Sequence, residues 1–148
     1  MTKRGELEWG VLAGSVGPRV RLLRNVLSAR SIAVSAPRGL PTGSLTVLAL
    51  VAANPGSSQT ALARRAGINK SALVGIVDQL EERGLLARAV SDADRRRNDL
   101  RVTPAGMETI ETLFGPVDAE EGPMREALGP RDLSQLLSLL DRAIAALD

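Results

Sequence analysis

Apolar residues recur every three or four positions along several stretches of this chain, the spacing of one face of an α-helix. Within residues 19–32 the face consists of Val20, Leu23 and Leu27, and the four arginines lie mostly outside it. Residues 45–53 are apolar nearly all round, which fits a buried helix or a buried strand, and their alanine and leucine content favours the helix. The pattern therefore predicts two helices in the first third of the chain.

Two shorter helices are predicted next, at residues 59–66 and 70–83. Gly67 and Gly84 stand where these helices must stop, and Ser57 or Ser58 can cap the first of them. The turn around Gly67 has the length of the turn in a helix-turn-helix motif. An ordinary corner between two helices has the same spacing, so it remains the alternative at this point.

Two strands are predicted after Gly84, in "LLARAVS" and "DLRVT". Leu86, Arg88 and Val90 lie on one side of the first strand, and Leu100 and Val102 lie on one side of the second. The stretch between them carries three consecutive arginines, so it forms the basic tip of a hairpin. A solvated turn that serves only solubility is the alternative for these arginines.

The sequence pattern in the last third of the chain predicts further helices. Pro104 suits the first turn of one, with Thr103 as its cap. Gly115-Pro116 and Gly122-Pro123 predict a kinked or segmented helix up to Leu128. A turn at Gly129-Pro130 then leads into a leucine-rich amphipathic helix, for which Asp132 is the expected cap.

Composition excludes most enzyme mechanisms. The 148 residues include no Cys and no His, so disulfides, thiolate and imidazole chemistry and the usual zinc sites are absent. We expect no enzyme activity, no cofactor and no metal. No apolar run is long enough to span a membrane, and glycines and glutamates interrupt any possible signal segment. We therefore expect a soluble, cytoplasmic protein of one structural domain.

The net charge of +2 is unevenly distributed along the chain. Residues 1–58 carry +5, residues 59–103 carry +3 and residues 104–148 carry −6. The first two thirds can therefore face a polyanion, whereas the last third repels one.

A helix-turn-helix followed by two strands with a basic tip has the order of a winged helix. Nearly the whole chain resembles the MarR family of transcription regulators, most specifically in "VDQLEERGLLAR", "DADRRR" and "LRVTPAG". The resemblance implies a mainly α (α+β) fold. A winged helix-turn-helix lobe at 42–103, with the helix-turn-helix at 59–83 and the wing at 86–103, would lie between dimerisation regions at 1–36 and 104–148.

The implied function is that of a ligand-responsive repressor, which binds double-stranded DNA as a homodimer at a pseudo-palindromic operator. In such proteins an acidic residue of the wing holds an arginine for insertion into the minor groove, and the matching residues here are Asp94 and Arg96. The wing candidates are Asp94, Arg95, Arg96 and Arg97. The candidates for contacts with the DNA backbone are Ser57, Ser58 and Gln59.

The recognition helix departs from the family pattern, which often has a polar residue and an arginine where this chain has Val74 and Gly75. Its first residues therefore become the main candidates for DNA contact. Lys70 is expected to contact phosphate or guanine, and Ala72 a thymine methyl. Gly75 either leaves room for DNA or reflects drift. The recognition-helix candidates are Asn69, Lys70, Ser71, Ala72 and Gly75.

Terminal helices this rich in leucine expose a large apolar surface unless a second copy covers it. The interface candidates are Trp9, Val20, Leu23, Leu27, Leu133, Leu136, Leu137, Leu140, Ile144 and Leu147. Many members of the family that the chain resembles bind small aromatic acids between the dimerisation region and the lobe. The corresponding ligand-binding candidates here are Trp9, Arg21, Arg24, Met107 and Phe114.

Two other functions remain open. A winged helix can bind a protein partner instead of DNA, as a helical interaction module. Alternatively, the space between the helices can bind a small molecule with no role in DNA binding.

Overall fold

The computed structural model describes residues 7–90 and 98–147. Six α-helices and one antiparallel hairpin account for most of these residues, which confirms the mainly helical class with a two-stranded wing. In chain order the elements are α1 (Gly17–Ser35), α2 (Ser44–Ala53), α3 (Gln59–Ala66), α4 (Lys70–Glu82), β1 (Leu86–Val90), β2 (Asn98–Val102), α5 (Pro104–Ala119) and α6 (Gly122–Leu147). Short 3₁₀ helices lie at Gly10–Leu12 and Ala36–Arg38.

The hydrophobic core lies in the lobe formed by α2, α3, α4 and the hairpin. The ambiguous apolar stretch is the helix α2, and Val47, Leu48 and Val51 are its buried apolar residues. The other core residues are Leu62, Ala63, Leu73, Val77, Leu80, Leu86 and Leu100. Because every element of the lobe contributes to one core, its elements are held together as a unit.

The boundaries of the helix-turn-helix follow from local hydrogen bonds. Ser58 is the cap of α3, since its hydroxyl oxygen accepts from the backbone N–H of Ala61 at 3.1 Å. Gly67 ends α3 with a φ of 68°, and the N–H of Ile68 then donates to the carbonyl of Ala63 at 3.0 Å. A side chain at position 67 would be strained in this conformation.

The first turn of α5 is built against the turn between α4 and β1. Thr103 caps α5 by accepting from the N–H of Gly106 at 3.1 Å, and its hydroxyl donates to the carbonyl of Gly84 at 2.5 Å. Its backbone N–H donates to the carbonyl of Leu85 at 3.1 Å. Gly106 is buried, and a Cβ there would overlap the Leu85 carbonyl oxygen and the Val102 side chain.

The helices outside the lobe, α1, α5 and α6, form the helical arms, and they differ from expectation at two points. Gly115-Pro116 does not interrupt α5, which continues to Ala119. Proline has no backbone N–H, so the carbonyl one helical turn before Pro116 lacks its usual donor. Because Pro116 is exposed, water can donate to that carbonyl instead. The observed breaks are the turn at 120–121 and Gly129, whose φ of 70° and ψ of 168° are not helical.

Asp132 is also not the cap of the last helix, because Pro130 directly after Gly129 is already helical. Ion pairs hold the arms at the junction of α5 and α6. Arg125 contacts Asp118 at 2.7 Å and Glu121 at 3.0 Å, and Arg30 of α1 donates to the carbonyl of Glu120 at 3.3 Å. No helix in the described ranges is long and apolar enough to cross a membrane.

Replacement of Gly106 by alanine is expected to destabilise the protein by about 1–3 kcal/mol, because the new Cβ overlaps backbone that cannot move away without disturbing the core. Gly75→Ala is the matched control. Its Cβ would meet nothing within 4 Å, so better helix propensity should stabilise the fold by about 1 kcal/mol. Guanidinium unfolding of both variants measures the difference, and equal effects would contradict the close approach at Gly106.

Candidate nucleic-acid interface

Helix α4 has one buried face and one exposed face. Leu73, Val77 and Leu80 are fully buried in the core of the lobe. The five recognition-helix candidates are all exposed, and they are Asn69, Lys70, Ser71, Ala72 and Gly75. The helix therefore presents its first turn and the centre of its outer face to a partner while its other face holds it in place.

Asn69 has a structural role that the sequence pattern did not reveal. Its side-chain Oδ1 accepts from the backbone N–H of Ala72 at 2.8 Å, which makes Asn69 the cap of α4. The hydrogen bond orients the start of α4, where the exposed Lys70 and Ser71 lie.

No contact within the described chain requires glycine at position 75, where an added Cβ would point into open space. The outer face of the helix therefore has no side chain at this point, and the backbone is accessible to a partner. Both interpretations of Gly75, space for a partner and drift, stay open.

The start of α3 is exposed next to the helix-turn-helix. Ser58 is exposed, and Ser57 and Gln59 are half-buried. The hydroxyl of Ser58 is already used in capping, so its oxygen has one helix N–H as a partner. Backbone N–H groups at such a helix start are suited to binding phosphate.

The wing consists of β1 and β2, paired from Leu86 with Val102 to Val90 with Asn98. Leu86 and Leu100 are buried and anchor the base of the hairpin, whereas Val90 is 59% exposed. The wing candidates Asp94, Arg95, Arg96 and Arg97 lie outside the described residues, so their roles stay predictions.

Arg88 joins the wing to α4. Its Nη2 lies 2.8 Å from Oδ1 of Asp78, and its Nε lies 3.2 Å from Oε2 of Glu81. The sequence pattern placed Arg88 only on one side of a strand. The spacing of Asp78 and Glu81 on one helix face, shortly before a strand with an arginine, was the available signal.

The interface candidates lie on the helical arms, and much of their apolar surface is exposed in the single chain. Leu137 is 57% exposed and Ile144 is 54% exposed. Trp9 is packed beneath Arg19, whose guanidinium carbon lies 4.4 Å from the centre of the indole ring. Leu27, Leu133, Leu136 and Leu140 are partly buried, and Trp9, Val20, Leu23 and Leu147 are exposed.

The ligand-binding candidates do not line the described clefts between α1, α2 and α5 or between α3 and α6. A cleft of about 300 Å³ between α1, the start of α2 and the end of α5 includes Ser31, Thr46 and Val117. A cleft of about 800 Å³ between α3 and the end of α6 includes Arg64 and Arg65. Trp9, Arg21, Arg24, Met107 and Phe114 are exposed on the N-terminal segment, α1 and α5. Their ligand role stays a prediction.

Comparison with known proteins identifies the family of this chain. The sequence model of the MarR family matches residues 38–97, which run from the end of the second 3₁₀ helix into the wing. Over 140 residues the chain is 34% identical to the putative transcriptional regulatory protein for the hcr operon of Thauera aromatica, covering 93% of this chain and 83% of that protein. The chain belongs to the MarR family.

Solved structures of MarR-type regulators share the fold. The transcriptional repressor CouR, solved bound to a 23-mer DNA duplex, is 32% identical, with a TM-score of 0.78 over 93% of this chain and 98% of that chain. CouR from Rhodococcus jostii RHA1, solved with p-coumaroyl-CoA, is 28% identical, with a TM-score of 0.80 over 90% of this chain and 94% of that chain. The likeness extends from the lobe to the helical arms, beyond the residues that the family model matches.

The cap at Asn69 predicts different outcomes for two substitutions. Asn69→Ala should destabilise the protein by about 1 kcal/mol, because the Ala72 N–H loses its partner. Asn69→Asp should retain the wild-type free energy of unfolding, since a carboxylate caps equally well and suits the positive end of the helix dipole. Denaturant unfolding compares the two with the wild type, and an unchanged free energy of unfolding in Asn69→Ala would show that the Asn69 cap does not stabilise α4.

Proposed function

We propose that this MarR-family regulator is a ligand-responsive repressor that binds a pseudo-palindromic DNA operator as a homodimer. The observation that carries the proposal is the exposed outer face of α4 beside a wing strand. None of its five candidate residues belongs to the core, although Asn69 caps the helix, and the similar CouR has been solved on a DNA duplex. A surface that does not pack into the core is free to recognise a partner.

Charge supports DNA as the partner. Lys70 is exposed at the start of α4, and Arg64 and Arg65 are exposed at the end of α3. The chain from residue 1 to residue 103 carries +8, whereas residues 104–148 carry −6. Lys70 would contact phosphate or a guanine edge, Ala72 would contact a thymine methyl, and the start of α3 would bind phosphate. Asp94 and Arg95–Arg97 would extend these contacts along the duplex.

The exposed apolar side chains of α1 and α6 support a homodimer. Apolar residues on α6 such as Leu137 and Ile144 would be left in water in a single copy. In this proposal residues 1–36 and 104–148 form the dimerisation region, and residues 42–103 form the DNA-binding lobe. Two lobes related by a two-fold axis would contact two half-sites of an inverted repeat.

The clefts between the lobe and the arms support control by a small molecule. The cleft between α3 and α6 contains Arg64 and Arg65, and neither makes an ion pair with a described residue. Unpaired guanidinium groups suit an anionic ligand. CouR, which was solved with p-coumaroyl-CoA, shows that a protein of similar fold binds an organic anion.

Binding to a mixed-sequence duplex should weaken linearly on a log–log plot against salt concentration, because lysine and arginine displace counterions from DNA. Lys70→Ala should weaken binding to all sequences and reduce the slope by about 1. Arg131→Ala, at an exposed position of α6, is the matched control and should change neither quantity. Fluorescence anisotropy measures both, and salt-independent or absent binding would favour a protein-interaction module.

Arg96→Ala should weaken specific DNA binding by about 1–3 kcal/mol, the usual contribution of one good groove contact. Asp94→Ala should also weaken binding although it removes a negative charge, because Asp94 is proposed to orient Arg96. The measurement is the dissociation constant on a duplex selected by the wild-type protein. Tighter binding by Asp94→Ala would show that this carboxylate acts only by repelling phosphate.

A further inference from the structure

Arg88 makes a two-point contact between the wing and the recognition helix. Asp78 and Glu81 lie three residues apart on α4, and the guanidinium of Arg88 bonds one carboxylate through Nη2 and the other through Nε. A planar guanidinium held by two acceptors is restricted in angle as well as in distance. The contact therefore limits how far β1 can tilt relative to α4.

The rest of β1 offers little to hold its outer half. Leu86 is buried at the base of the strand, but Ala87 is exposed and Val90 is 59% exposed. On the other strand, the carboxylate of Asp99 lies beside Gly56 in the loop before α3. The hairpin is thus held on the β2 side near that loop and on the β1 side by Arg88.

The three charged side chains are partly exposed, with 36% of Arg88, 52% of Asp78 and 25% of Glu81 accessible to solvent. Ion pairs with this exposure contribute little to global stability. Their effect on orientation does not depend on a large contribution to stability, since it requires only that one tilt of the wing be preferred.

We propose that Arg88 is a positioning residue that fixes the wing against α4, so that both elements contact one half-site of DNA together. The inference rests on the proposed DNA-binding function. Two contact elements held in the correct relative position bind without the cost of ordering one of them at the moment of association. Without Arg88, each binding event would include that cost.

Arg88 also offsets one of the two negative charges that Asp78 and Glu81 place on a helix proposed to approach phosphates, so its removal has an electrostatic effect as well. A charge-balanced variant separates the two effects. Arg88→Ala with Asp78→Asn removes the contact and leaves the net charge of the three positions at −1, as in the wild type.

The first test needs no DNA. Hydrogen exchange of backbone amides should become about tenfold faster in β1 and β2 of Arg88→Ala, while exchange in the buried helix α2 stays unchanged. Arg131→Ala should leave exchange in both regions at the wild-type rate. Unchanged exchange in the strands of Arg88→Ala would overturn the proposal, whatever the DNA affinity.

The second test measures affinity for a duplex selected from a random pool by the wild-type protein. We expect Arg88→Ala to bind about tenfold more weakly, Arg88→Lys to remain weak, and the charge-balanced double variant to remain at least about fivefold weaker than wild type. Wild-type affinity in the double variant would show that Arg88 acts only by neutralising charge, and would overturn the proposal. If the wild-type protein selects no duplex, the DNA-binding function fails, and hydrogen exchange alone decides whether Arg88 holds the wing.

Discussion

The structure depends on the close approach of the first turn of α5 to the turn that joins α4 and β1. Thr103 bonds the carbonyls of Gly84 and Leu85 and caps α5 at the same time. The approach is possible because residue 106 has no side chain. The end of the recognition helix, the base of the wing and the start of the long helix α5 are thereby joined within a few residues.

This junction explains how a small lobe and extended helical arms form one molecule. α5 packs against α2 in the lobe and against α1 in the arms, and Leu113 of α5 is fully buried. A shift of α5 therefore acts directly on the turn between α4 and β1. In a dimeric regulator, the separation of the two recognition helices would depend on this helix, so a ligand bound beside α5 or α6 would have a physical route to the DNA-binding surface.

Much of the fold could be predicted because local signals agreed with one another. Gly67, Ser58 and Thr103 end or begin helices through bonds to neighbouring backbone, and such bonds depend on nearby sequence alone. Pro116 was misleading because helix propensity does not reveal that this position of α5 is exposed to solvent. The sequence pattern did not indicate the cap at Asn69, because Asn69 lies among residues that also suit DNA contact.

The contact between Arg88 and α4 could not be derived in the same way, since it depends on how the hairpin lies across the helix. The ligand-binding candidates follow from side-chain chemistry, whereas one cleft lies between α3 and α6 and the other between α1, α2 and α5. Such arrangements follow from the tertiary structure, and the spacing of residues along the sequence indicates them only weakly.

DNA recognition by a two-fold dimer is tested most directly by selecting duplexes from a random DNA pool with the purified protein at about physiological salt, where nonspecific binding is largely suppressed. We predict enrichment of an inverted repeat whose half-sites lie about 10 base pairs apart, the spacing that two recognition helices of a two-fold dimer require. No enrichment by a folded, ligand-free dimer would contradict DNA recognition, and would indicate that the exposed face of α4 serves a partner other than DNA.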